Sequence, residues 1–198
     1  MRLLPLFALA LIVTFAACDR KTAQQAPPAQ TAAPSPEAMA PGHGGTANAA
    51  GGIRWTPPST WGLHPPRQMR VATYMIPGAT GGNDGGECAV FFFGTGQGGD
   101  TEANIARWAS QFKESPTPEK STRTAGGMNV TMVRIAGTYL APSGPMMESQ
   151  GSFDNYRLLG AIVDAPEGAV FFKLTGPSAT VAAAEKDFDS MISSIQKQ

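Results

Sequence analysis

Apolar and polar positions follow several distinct rhythms along the chain, and each rhythm predicts an element. Between residues 68 and 76, Met69, Val71, Thr73 and Met75 alternate with Arg70, Ala72, Tyr74 and Ile76. That period of two predicts a strand with some cover on each face. Residues 87–93 are apolar at nearly every position and predict a central strand. Residues 101–113 change to a helical rhythm, with Ile105, Trp108, Ala109 and Phe112 on one face. Asp100 or Thr101 can cap this helix, Glu102 suits its first turn, and the prolines at 116 and 118 end it. Strands are predicted at 120–124 and 128–140 around Gly126 and Gly127, followed by a loop at 141–152. Residues 153–164 and 169–175 predict a hairpin, because Pro166 fixes φ and Gly168 permits φ > 0 between them. The final pattern, 178–196, places Val181, Ala184, Phe188, Met191, Ile192 and Ile195 on one helical face.

Strands, a helix, antiparallel strands and a terminal helix predict an α+β fold: a mostly antiparallel central sheet with helices packed on it. Residues 53–198 suffice for a single globular domain. Residues 19–52 are rich in Ala, Pro, Gln, Thr and Gly and hold almost no large apolar side chain. Such a segment buries too little surface to offset the entropy of ordering it, so a disordered tether is expected there. As a flexible coil it would span roughly 30 Å root-mean-square.

Residues 1–18 have a short basic start at Arg2 and an apolar run at 3–15, too short to cross a bilayer comfortably. The run ends in Phe15, Ala16, Ala17 and Cys18. Small residues just before a cysteine resemble the lipobox of bacterial lipoproteins, although Phe15 stands where that family usually has leucine. The resemblance implies lipid on the Cys18 sulfur, cleavage before it, and a domain tethered to an inner or outer envelope membrane. The competing reading is an ordinary secretory peptide in which Cys18 is incidental.

Within 53–198, twelve Lys/Arg face thirteen Asp/Glu. No basic surplus exists to bind nucleic acid. Beyond Cys18 only Cys88 remains, so no intramolecular disulfide is expected in the domain, and a buried, inert thiol is the simplest reading of Cys88. His64 is the one histidine after the tether residue His43. It has no partner at metal-ligand spacing and no nucleophile elbow to serve, so neither a zinc site nor a catalytic triad is expected, and an exposed loop residue is.

Residues 94–99, GTGQGG, match G-x-G-x-x-G by spacing and lie between a predicted strand and a predicted helix. A dinucleotide site would present the helix N-terminus to a pyrophosphate. Here Asp100 and Glu102 crowd that position, and the neighbouring strands read as antiparallel, so no nucleotide cofactor is expected. Gly94, Gly96, Gln97, Gly98 and Gly99 remain candidates for contact with a partner or small ligand, since loops carry function disproportionately. Arg134 and Lys173 are charges inside apolar strands. Each can sit on a solvent face; if instead they line one cleft with Glu87, Tyr156 or Arg157, they would form an anion or peptide-carboxylate site. Trp55, Trp61, Trp108 and Phe91 to Phe93 read as core, and Met146 and Met147 as a possible adhesive surface.

Five stretches carry a further resemblance: ECAVFFFG (87–94), GQGG (96–99), Trp108 with Phe112, YRLLGA (156–161) and FKLTGP (172–177). Together with the tryptophan–proline opening at 55–61, they resemble bacterial lipoproteins of unassigned activity with a PsbP-like domain, an α/β/α sandwich. The resemblance implies a non-enzymatic binding or assembly module with a protein partner, and it brings no catalytic residue. The alternative is a small-ligand binder or weak hydrolase with a cleft near Gly94 to Gly99. If Cys18 carries the anchor, Cys18→Ser abolishes incorporation of labelled palmitate and of the diacylglyceryl group. Unchanged labelling of the variant would remove the lipoprotein reading.

Overall fold

The computed structural model describes residues 48–82, 84–143 and 148–198, without the side chains of 142–150. Cys18, the greater part of the expected tether, Met146 and Met147 lie outside the described residues. The elements are β1 (Ala49–Ala50), β2 (Ile53–Arg54), β3 (Gly62–Leu63), β4 (Ala72–Ile76), β5 (Gly86–Phe92), α1 (Thr101–Ala109), β6 (Glu119–Ala125), β7 (Met128–Ser143), β8 (Glu148–Val163), β9 (Val170–Pro177), α2 (Ser178–Ser193) and β10 (Gln196–Lys197). The fold is mixed α and β, with a seven-stranded sheet ordered β3-β4-β5-β9-β8-β7-β6 and a small sheet β1-β2-β10. Every pairing among the described strands is antiparallel.

The strands β5, β9 and β8 are apolar on both faces, so both faces need cover. On one face, Cys88, Val90, Leu159, Ala161, Phe172 and Leu174 pack against Val181, Phe188, Met191 and Ile192 of α2 and against Ile53, Trp55 and Trp61 of the N-terminal segment. The Trp55 indole N–H donates to the Tyr74 hydroxyl at 2.9 Å, and its ring meets Phe172 edge-on at 5.0 Å. On the other face, Ile105, Trp108, Ala109 and Phe112 from α1 and its C-terminal extension cover Val133, Ile135, Leu158, Ile162 and Phe171. The closest approach is at Gly160, where a Cβ would overlap the six-membered ring of Trp108. Only a bare backbone lets the helix lie that near the sheet.

Three expectations need correction. First, order begins before residue 53: Ala49 and Ala50 pair with Arg54 and Ile53 across a Gly51–Gly52 turn. Glycine and alanine read as tether composition, whereas here they make a tight hairpin whose turn packs on Val170 and Phe92. Second, α1 stops at Ala109, because Ser110 caps it and Lys113 N–H bonds Thr138 O instead of continuing the helix. Likewise α2 stops at Ser193, and Gln196 and Lys197 pair with Arg54 and Ile53.

Third, the expected loop at 141–152 contains strand. The β7–β8 ladder runs on to Ser143↔Glu148, past the last β9 partner of β8 (Tyr156↔Pro177) and the last β6 partner of β7 (Arg134↔Glu119). The result is a two-stranded arm with register shifts at Gly137/Tyr139 and Leu140/Pro142. Such shifts break the period-two side-chain pattern while the backbone ladder persists, which hides the strand from a hydrophobicity reading.

Gly160→Ala is expected to destabilise the domain by about 1–3 kcal/mol, because Trp108 must leave its rotamer or α1 must lift. Gly160→Ala combined with Trp108→Leu should recover part of that loss in urea unfolding. Equal midpoints for wild type and the single variant would exclude this contact as a determinant of the fold.

Candidate functional site

The glycine loop is held from inside. Buried Asn104, in the second turn of α1, donates through Nδ2 to Gly98 O and Asp100 O, both at 2.8 Å, and its Oδ1 accepts from Arg107. Asp100 caps the helix by accepting from Ala103 N–H at 2.8 Å. Gly98 has φ +91, and a Cβ there would lie 2.8 Å from Phe93 and 3.1 Å from Phe171. Thr95 Oγ1 donates to Glu167 O in the β8–β9 turn. The loop therefore seats α1 on the sheet, with Thr95, Gly96, Gln97 and Gly99 exposed. The strand before it has antiparallel neighbours on both sides, unlike the parallel crossover of a dinucleotide fold. Asn104 was not singled out from sequence. Its signal was a polar residue next to the apolar stripe, one turn after a helix cap.

At the other end of α1 the helix runs out before the sheet does. Phe112 forms a bridge with Tyr139, and Leu140 N–H bonds Gln111 O at 2.8 Å, which sets Gln111 above β9. Lys173 rises from the middle of β9 on this face and donates through Nζ to Gln111 Oε1 and, at 3.3 Å, to the Tyr139 hydroxyl. Its ammonium also lies 5.5 Å from the centre of the Tyr139 ring. Burial, helped by the nearby Arg70 charge and opposed by Glu87, pulls its pKa from the usual 10.5 down to about 8.

Glu87, on neighbouring β5, accepts from Arg70 at 2.6 Å and from Arg67 at 3.2 Å. The Arg70 guanidinium also covers the Phe91 ring at 5.7 Å. Arg67 in turn approaches His64 Nε2 at 3.2 Å, so His64 belongs to this polar group rather than standing free in a loop. Tyr139 stacks on Tyr156 at 5.8 Å, and Tyr156 meets exposed Phe153 at 5.3 Å. Burial pushes the Tyr139 hydroxyl up to about 12, so it stays neutral. Tyr156 also borders an open depression of about 460 Å³ with Gly137, Thr138, Asp154, Asn155 and Ser178.

Of the four charged and aromatic candidates, Glu87, Tyr156 and Lys173 share one face, around the C-terminal end of α1 rather than the glycine loop. Arg134 does not join them. It lies on the opposite face, donating through Nε and Nη2 to Glu185 Oε1 of α2 at 2.9 and 2.7 Å, and that pair holds its pKa above the ordinary value. The reason is parity: Val133 and Ile135 point to α1, so Arg134 between them points to α2. Arg70, Gln111 and Tyr139 were missed as site residues. Only the β5–β9 register and the turn after α1 bring them to Lys173.

Cys88 is fully buried, and burial, with Glu87 adding to it, raises its pKa, which leaves an unreactive thiol. Among the described residues no group of three or more His, Cys, Asp or Glu could hold a metal ion, and no helix is long and apolar enough to cross a membrane.

No protein-family model matches the chain, and no curated protein matches it either. A solved chain from Bacteroides thetaiotaomicron VPI-5482 is similar, with 12% identity and a TM-score of 0.43. The similarity covers 76% of this chain and 47% of that one, so this chain spans about half the length of the Bacteroides protein.

Lys173 costs the fold stability. Its folded pKa lies below its unfolded value, so the folded state binds fewer protons between about pH 8 and 10.5. The charge penalty is therefore fully present below about pH 8 and disappears as pH rises through that window. Lys173→Met is expected to raise stability at pH 7 by about 1–3 kcal/mol, with the gain vanishing by about pH 10.5. Urea unfolding at both pH values checks this, and a destabilised variant at pH 7 would contradict it.

Proposed function

We propose that this chain is a lipid-anchored protein of the bacterial cell envelope whose PsbP-like domain binds a protein partner without catalysing a reaction. The anchor rests on the Cys18 motif, and the tether gives the domain reach from the bilayer. The observation that carries the binding role is the seam where α1 stops short of the sheet. There Arg70, Glu87, Gln111, Lys173, Tyr139 and Tyr156 form a half-buried polar and aromatic strip bordered by exposed Phe153. Aromatic side chains with polar tips contribute large contact area at little entropy cost, as binding surfaces require. The alternative reading, a small-ligand site or hydrolase beside Gly94 to Gly99, has less support. That loop is bound up with Asn104, Phe93 and Phe171, at the opposite end of α1 from Lys173.

The binding role is tested with immobilised full-length protein and detergent-solubilised envelope. Phe153→Ala with Tyr156→Ala should lose the recovered partner while keeping the wild-type unfolding midpoint. Lys186→Ala, on the exposed side of α2, should retain it. Equal recovery by both variants, or measurable turnover by the purified protein, would overturn the proposal.

A further inference from the structure

Five cations among the described residues are held in ion pairs. Arg67 and Arg70 share Glu87, Lys120 pairs with Glu102, Arg123 with Asp189 and Arg134 with Glu185. Lys173 differs. It is in the middle of the sheet, and no carboxylate lies within ion-pair distance among the described residues. Two neutral groups, Gln111 Oε1 and the Tyr139 hydroxyl, take two of its three N–H donors. The charges around it come from three elements: Arg70 ahead of β4, Glu87 on β5, and Arg107 on α1. Glu87 is already shared by two arginines, so the surroundings of Lys173 are cationic. A half-buried ammonium beside other cations, with a donor to spare, calls for an anionic acceptor.

We propose that Lys173, with Gln111, Tyr139 and Arg70, receives the free C-terminal carboxylate of an extended peptide, whose last apolar or aromatic side chain rests on Tyr156 and Phe153. This rests on the binding role proposed above and names what is bound. The carboxylate accepts from Lys173 Nζ, from the Gln111 amide nitrogen and from the Tyr139 hydroxyl, with Arg70 as second cation. The peptide source, rather than a small free acid, follows from the shape of the surface. A small acid would leave the aromatic strip of Tyr156 and exposed Phe153 uncovered. The strip instead continues from Tyr139 through Tyr156 to exposed Phe153, which gives the preceding residues a path.

The test uses the full-length chain in detergent and three probes: acetyl-Gly-Gly-Phe with a free carboxylate, the same peptide amidated, and phenylacetate. Binding is followed by calorimetry and by side-chain amine resonances of labelled lysine. The free-acid peptide should bind saturably and move the Lys173 resonance. The amide, and Lys173→Met with the free acid, should each bind at least roughly tenfold more weakly, the loss expected for one charge-assisted contact. Lys173→Arg should keep part of the affinity. Affinity should fall between about pH 7 and 9.5 as the free Lys173 loses its proton, a range below the raised pKa of Tyr139.

Equal binding of acid and amide, or no saturation at roughly 10 mM peptide, would overturn the proposal. Phenylacetate binding as tightly as the peptide would overturn the peptide as source. If the peptide fails while Phe153→Ala with Tyr156→Ala still loses the envelope partner, the binding face stands and only the carboxylate assignment falls. If the double variant keeps its partner, the binding role itself falls.

Discussion

Trp108 stands over the bare backbone of Gly160, and the geometry of the α1 face follows from that contact. A helix packed at ordinary side-chain distance would sit further from the strands and would not bring Gln111 down to Lys173 or Phe112 against Tyr139. The approach is supported at both ends. Asn104 ties the start of the helix to the glycine connection, and the backbone bonds of Gln111 and Lys113 to the β7 arm tie its exit. The glycines thus serve packing in two ways: at Gly160 they admit a ring, and at Gly98 they admit a chain turning tightly against Phe93 and Phe171.

The two faces of the sheet are covered unequally. A 16-residue helix and the tryptophan-bearing N-terminal segment close one of them. A nine-residue helix covers only part of the other. What remains uncovered is not left apolar. Arg70 lies over Phe91, Glu87 anchors two arginines, and Lys173 projects beside paired tyrosines. Polar side chains with long apolar stems shield the strand face while keeping charges near solvent. On this surface the half-buried Lys173 ammonium has two neutral acceptors and no carboxylate, whereas Arg134 on the closed face has its carboxylate on α2.

Element identity was legible from periodicity, because strands and helices bury faces with different repeats. The central strand at 87–93, α1, the 165–168 turn and the amphipathic α2 all stand near where their patterns place them. Periodicity failed where backbone pairing runs on without a buried face. The β7–β8 arm beyond Leu140, the Ala49–Ala50 hairpin and the Gln196–Lys197 strand are held by ladders that leave little hydrophobic signature.

Local chemistry follows from the order of residues alone: that Asp100 caps a helix, that Arg134 must face opposite to Val133 and Ile135, and that Lys173 interrupts an apolar strand. Each depends only on neighbours a few positions away. Which charges meet does not. Lys173 reaches Gln111 and Tyr139 only through the β5–β9–β8–β7 strand order and the early end of α1. Arg134 finds Glu185 only because α2 crosses the other face. Those partners are tens of residues apart in the chain, and no local pattern encodes the register that joins them.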